Sequence, residues 1–165
     1  MKTVSLKYGL KHEGKARFSA GKYMQVNRAG DAIKSYQAAV ALDPSLVEAR
    51  YNLGILLVRS GNDAQALVEF REVVKTKPTH PLAQANIAAL MMKNRNLNAA
   101  IRHLELALKG KPDFTDVRLQ LAKLLEAAGK KQDAIQQYKE LLKQNPRFPP
   151  AIGRLKELEA PTAGK

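Results

Sequence analysis

The chain contains no cysteine, which excludes disulfides, thiolate nucleophiles and thiolate metal ligands. That absence leaves the compartment open, since reducing and oxidising surroundings both tolerate cysteine-free proteins. No apolar run is long enough to span a bilayer. Met1 to Lys11 is basic but is interrupted by Lys7, Gly9 and Lys11, so it has no continuous apolar core and does not read as a secretory leader. The expected location is cytoplasmic, or periplasmic if a leader has been removed. Aromatic residues make up only 5% of the chain, which leaves few platforms for stacking nucleobases. Acids are the scarcer charge: 15 Asp and Glu face 28 Lys and Arg, for a net charge of +13 over 165 residues.

Signs of catalysis are also scarce. His12, His80 and His103 lie far apart in sequence. His80 sits in a connection and His103 on the expected outer side of a helix, so both read as solvent-facing. No His or Cys pair has metal-ligand spacing. No glycine-rich loop follows a strand, so phosphate-cradling motifs are missing. Asp113 and Asp116 read as charges at a helix N-terminus. Met91 and Met92 read as one core residue and one surface-groove residue, not a metal site. Neither an enzyme nor any cofactor or metal is expected.

The positive charge is uneven. Residues 1–34 hold eight cations and two acids, and residues 79–112 hold five and one. Residues 35–78 balance, with five of each, and residues 113–146 nearly so, with six and five. Such an excess bears on partners, not on fold.

What the sequence does have is a ruler. Pro44, Pro78, Pro112 and Pro146 recur every 34 residues, and Ala32, Ala66, Ala100 and Ala134 keep the same interval. So do Tyr36, Phe70, Leu104 and Tyr138, four places after each alanine. A fixed period of this length marks an array of helical repeats. Within each period the set Ala66, Leu67, Phe70, Val73, Val74, and its counterparts, falls on one helical face. The alanine suits a close helix–helix approach. The bulky residue four places on is a core filler worth roughly 1.5–3 kcal/mol when fully buried. A preceding helix shows Leu53, Gly54, Leu57, then Ile87, Ala88, Met91, then Leu121, Ala122, Leu125. Gly61 and Gly129 mark the turn between paired helices, and Asn94-Arg95-Asn96 stands in the same place. Each proline ends a repeat because it cannot continue a helix. Ser45, Thr79 and Asp113 follow as expected N-caps, with Ser45 and Glu48 in capping-box spacing. Pro149-Pro150 suits a first turn, and Ile152, Leu155 and Leu158 share one side of a final helix able to cover the end of the array.

The pattern Asn52-Leu53-Gly54, Leu57, Gly61, Ala66, Phe70, Pro78 resembles the tetratricopeptide repeat. The resemblance covers roughly residues 13–160. The fold expected is all-α, a right-handed α-solenoid of four helix-turn-helix repeats and a capping helix. The expected segments are a basic stretch 1–12, repeats 13–46, 47–80, 81–114 and 115–148, a capping helix 149–160 and a disordered tail 161–165. The first helix of the first repeat departs furthest from the family pattern, with Ala16, Ser19, Ala20 and Tyr23 at its aligned positions.

The resemblance also implies where a ligand would lie. In this family the first helix of each pair lines a groove that commonly takes an extended peptide. The residues expected to hold a peptide backbone are Asn52, Asn86 and Gln120, because a side-chain amide both donates and accepts. Phe18 breaks that row in the first repeat. Tyr51, Ile55, Leu82, Ala89 and Met92 are expected to supply apolar contact, and Arg59, Lys93 and Lys123 to steer an acidic partner. Glu48, Val58, Ala85 and Leu119 belong to the same surface, and Arg17 to its basic flank. A carboxylate clamp of the kind some members use is not expected: Arg17 and Asn52 fit its earlier positions, but Leu82 and Asn86 stand where later cations belong. The expected function is a non-enzymatic interaction scaffold that binds a protein or an extended peptide, acidic or partly apolar. The alternatives are nucleic acid or another polyanion on the basic surface, and self-assembly through Val4, Leu6, Tyr8 and Leu10.

Overall fold

The computed structural model describes residues 29–160. The readings placed on the segment 1–12, on His12, Arg17, Phe18 and Tyr23, and on the tail 161–165 lie outside the described residues. Eight helices follow one another with no strand among the described residues: α1 (Ala29–Leu42), α2 (Val47–Arg59), α3 (Asp63–Thr76), α4 (Pro81–Lys93), α5 (Leu97–Gly110), α6 (Thr115–Ala127), α7 (Lys131–Gln144) and α8 (Pro149–Glu159). They divide between two compact units, the first ending at Pro78 and the second beginning at Thr79.

The helices stop where the backbone chemistry requires it. Pro44, Pro112 and Pro146 lie in the connections, while Pro81 and Pro149 occupy first turns, where no N–H is missed. The turn inside each helix pair is the same Schellman closure three times. Gly61 N–H donates to Val58 O at 3.0 Å and Asn62 N–H to Leu57 O at 2.8 Å. Arg95 and Asn96 repeat this onto Met92 and Met91, as do Gly129 and Lys130 onto Glu126 and Leu125. The closure needs a left-handed residue, and Gly61, Arg95 and Gly129 have φ of 81°, 56° and 74°.

The expected N-caps are displaced by one residue. The caps are Leu46, His80 and Phe114, not Ser45, Thr79 and Asp113. The Ser45 hydroxyl donates back to Asp43 Oδ1 at 2.6 Å, and its N–H to the same oxygen at 2.9 Å. The serine therefore closes the turn over Pro44 instead of capping α2, and no capping box forms at Leu46. These two hydrogen bonds hold the Asp43 carboxyl below its usual pKa. Phe114, and Phe148 one period later, pack against the core of the second unit, so these helix entries are set by an apolar contact. His80, read from sequence as a connector residue, accepts from Ala83 N–H through Nδ1 at 3.2 Å and caps α4.

In the first unit α2 packs against α1 and α3. Tyr36, Leu53, Leu57, Ala66 and Phe70 are buried there. Gly54 permits the closest approach: a Cβ at that position would come within 2.5–2.9 Å of the Phe70 ring. In the second unit α4 to α8 pack in sequence order. Leu104, Leu121, Tyr138 and Leu141 are almost wholly buried, as are Ala88, Ala100, Ala122 and Ala134. His103, expected to face solvent, is only partly exposed. Its Nδ1 lies 2.6 Å from Oε1 of the buried Gln84. The two helices of that pair bring the residues together across 19 positions.

Candidate functional site

The first helices of the pairs carry the residues singled out from sequence. On α2, in the first unit, Tyr51, Asn52 and Ile55 are partly buried and Arg59 is exposed. Tyr51 tilts against Phe70, with ring centroids 5.9 Å apart, so part of its area belongs to the core. On α4, in the second unit, Leu82, Ala89 and Lys93 are exposed and Asn86 and Met92 partly so. Leu82, Asn86, Ala89 and Lys93 are spaced three and four apart, which puts them along one helical face. Leu82 is 45% exposed, unusual for a large apolar side chain. Asn86 Nδ2 donates to Leu82 O, one turn earlier, at 2.7 Å. One amide N–H is thereby used within α4, and by donor count one N–H and the oxygen remain.

Between α4 and α6 lies a cavity of about 650 Å³. Met92, Phe114, Leu119 and Leu124 give it apolar walls, with Gln120, Lys123 and Asp116 supplying polar groups. The structure thus brings Met92, Gln120 and Lys123 together. Leu82, Asn86, Ala89 and Lys93 lie on α4 but not on this lining. Tyr51, Asn52, Ile55 and Arg59 belong to the other unit. Phe114 was not foreseen, because it lies in the connection before α6. Its only signal is its place one period after His80 and one before Phe148. The Lys111 ammonium sits 5.1 Å from its ring centroid, a cation–π distance.

A second cavity of about 650 Å³ opens among α6, α7 and α8. It is lined by Lys123, Glu126, Lys131, Tyr138, Pro150 and Arg154, with Leu158 at its apolar side. Of these, Lys123 alone was expected from sequence to bind a partner, while Tyr138, Pro150 and Leu158 were read as core or capping residues. Glu126 organises this wall. Its Oε1 accepts from the Tyr138 hydroxyl at 2.5 Å and its Oε2 from Arg154 Nε at 2.6 Å. Arg154 also pairs with Glu157 on its own helix. Burial pushes the Glu126 carboxyl up, but the hydrogen bonds from Arg154 and Tyr138 and the Arg154 charge outweigh it and hold its pKa below the usual value. Burial, and then the hydrogen bond to Glu126, push the Tyr138 hydroxyl above the ordinary phenol value.

The groups on the two cavities are apolar surfaces, an amide, cations and two carboxylates, of which Glu126 is already paired, a set suited to recognition. Among the described residues no group of three or more His, Asp or Glu is placed to hold a metal ion. No described helix is long and apolar enough to cross a membrane. Tyr36, Phe70 and Tyr138 are buried and offer no open ring face to a nucleobase.

Comparison with known proteins agrees with this architecture. A family model described as tetratricopeptide repeat matches residues 91–158, and one described as TPR repeat matches residues 14–61. No curated protein matches the sequence. Among solved structures, one of MamA protein superposes with a TM-score of 0.79 at 20% identity, covering 90% of this chain and 81% of that one. A tetratricopeptide repeat protein from Parabacteroides merdae gives a TM-score of 0.81 at 17% identity, covering 90% of this chain and 60% of that one. YrrB, described as a TPR protein with an unusual peptide-binding site, gives 0.72 at 21% identity, covering 84% of this chain and 72% of that one. Paired helices closed by one repeated turn, the columns of alanine and bulky core residues, and both matching family models make the fold an all-α solenoid of helix pairs, and the chain belongs to the tetratricopeptide repeat family.

Proposed function

We propose that the chain is a non-enzymatic interaction scaffold and that its second unit holds an extended segment of a partner protein across α4 and α6. The observation that carries this reading is the cavity between those helices, where apolar walls meet one amide and one cation. That mixture is typical of sites that bind a side chain and fix its orientation through a few polar groups. Met92, Phe114, Leu119 and Leu124 take an apolar side chain. Gln120 bonds the adjoining peptide backbone, with Asn86 serving the same role further along the first helices. Leu82 and Ala89 extend the apolar surface on α4, and Lys93 and Lys123 attract acidic partners. Asn52, Tyr51, Ile55 and Arg59 give the first unit a similar surface of its own. The likeness to YrrB, whose description names a peptide-binding site, supports this assignment.

The test is a nuclease-treated pull-down at about 150 mM salt, where exposed charges are screened beyond roughly 8 Å. The native chain is compared with a Met92→Ala, Gln120→Ala variant whose helicity is verified by circular dichroism. A protein retained by the native chain and lost by the variant supports the groove. Retention of nucleic acid alone, before nuclease treatment and equally by both chains, would sink it in favour of polyanion binding by the net charge of +13.

A further inference from the structure

We propose that the cavity among α6, α7 and α8 is a carboxylate seat, which takes an Asp or Glu side chain of the same partner segment whose apolar side chain enters the cavity between α4 and α6. The inference rests on the groove reading above and adds a specificity to it. Lys123 lines both cavities, so a chain filling one passes directly to the other. Their charges differ. The cavity between α4 and α6 has one acid, Asp116, and one cation, Lys123, in its wall. The cavity beside it has three cations, Lys123, Lys131 and Arg154, against the single acid Glu126.

That acid is already matched. Glu126 receives Arg154 Nε and the Tyr138 hydroxyl on separate oxygens, which fixes both donors and neutralises the carboxylate. Arg154 is held further by Glu157. Lys123 and Lys131 enter no ion pair among the described residues. The cations on the cavity without a close carboxylate partner are therefore Lys123, which acts on Glu126 only through its charge, and Lys131. Beside them stand Ala127, Pro150 and Leu158, an apolar side for the methylenes of an entering Asp or Glu. With Glu126 and Glu157 both on Arg154, the three cations exceed the acids by one, and a single carboxylate restores the balance. A run of phosphates would bring further negative charge against Glu126 and Glu157.

The experiment is fluorescence anisotropy on the full chain at about 150 mM salt. The probes are ten-residue peptides of Ala and Ser with one Leu and one Glu, the spacing between them scanned, and matched peptides with Gln for Glu. The Glu peptide is expected to bind roughly fivefold more tightly than its Gln match at one preferred spacing, the scale of a partly exposed ion pair. A Lys123→Gln, Lys131→Gln variant is expected to lose that preference while still binding the Leu peptide better than a Leu-free control. Equal affinities for Glu and Gln peptides on the native chain overturn the seat and leave the groove standing. A Glu preference that survives in the variant overturns it too, by placing the charge recognition elsewhere. Binding of no peptide overturns the seat and the groove together, and binding of a single-stranded oligonucleotide in its place assigns the surface to polyanions.

Discussion

Gln84 Oε1 and His103 Nδ1 lie 2.6 Å apart, and the same two positions one period away on either side are also bonded. Arg50 reaches Glu69 at 2.9 Å, and Arg118 reaches Gln137 at 2.9 Å. An amide oxygen only accepts, so His103 carries its proton on Nδ1. Each of the three helix pairs among the described residues therefore has a polar clasp at the same place from its first helix to its second, and each clasp spans 19 residues. Arg50 and Arg118 also donate to the carbonyls of Pro44 and Pro112, which ties the clasp to the turn before its helix.

The three clasps are not equally satisfied. Arg50 has a carboxylate partner, while Arg118 donates to the Gln137 amide and the Pro112 carbonyl and its buried Nε has no partner. Gln137→Glu should give the last pair the charged partner that Glu69 provides in the first. The expected gain is about 0.5–1 kcal/mol, read as a higher urea midpoint at pH 7. The gain should vanish near pH 3, where the new carboxyl is protonated. An unchanged midpoint at pH 7 would mean that Arg118 gains nothing from a charged partner.

Arg95 occupies the left-handed position that Gly61 and Gly129 fill in the other pairs. A side chain there crowds the following carbonyl at a cost of about 1–2 kcal/mol, offset in part by glycine's greater freedom when unfolded. Arg95→Gly should therefore leave stability unchanged or raise it by up to about 1 kcal/mol, and Gly129→Ala should lower it by about 1 kcal/mol. Thermal melts of the two variants check the pair, and equal losses from both would contradict the turn geometry.

Gly54 and Phe70 form a matched pair of small and large. Gly54→Ala should destabilise the first unit by about 1–3 kcal/mol, since the new methyl overlaps the Phe70 ring. One period on, the same positions hold Ala88 and Leu104. Adding Phe70→Leu to Gly54→Ala installs that combination and should recover part of the loss. Additive losses in chemical denaturation, with no recovery, would show that the overlap is not the cause.

The helices and their core were legible because the period repeats a residue type: proline in the connections, alanine at the crossings, a bulky residue four places on. The clasps were not, because their columns read Arg50, Gln84, Arg118 and Glu69, His103, Gln137. A column that conserves only a bonding role looks like ordinary surface in a single sequence. The caps were misplaced by one residue because Ser45 can bond forward to a helix or backward to Asp43, and composition does not choose. Met92, Gln120 and Lys123 were named because the family pattern places them on first helices, and they line one cavity. Phe114 was missed because its ring reaches the cavity from a connection. The Glu126–Arg154 contact joins residues 28 apart, and it depends on how the last helix lies against α6 and α7.

That contact sets a pH dependence at both ends of the range. Glu126 has a folded pKa below its unfolded value of 4.5, so its contribution is present in full above about pH 4.5 and is lost as pH falls through the folded value. Tyr138 has a folded pKa above its unfolded value of 10.0, so its contribution is present below pH 10 and is lost as pH rises through the folded value. Glu126→Gln removes the carboxylate but keeps an oxygen that can accept from Tyr138. The stability difference between the native chain and Glu126→Gln should be largest near neutral pH and should shrink steadily below about pH 4.5. Tyr138→Phe should remove part of the alkaline loss above pH 10 while leaving the acid limb in place, because Arg154 still holds Glu126. Urea denaturation from pH 3 to pH 11 on the three proteins measures both limbs. An acid limb that is identical in the native chain and in Glu126→Gln would show that Arg154 and Tyr138 do not act on Glu126 as the geometry requires.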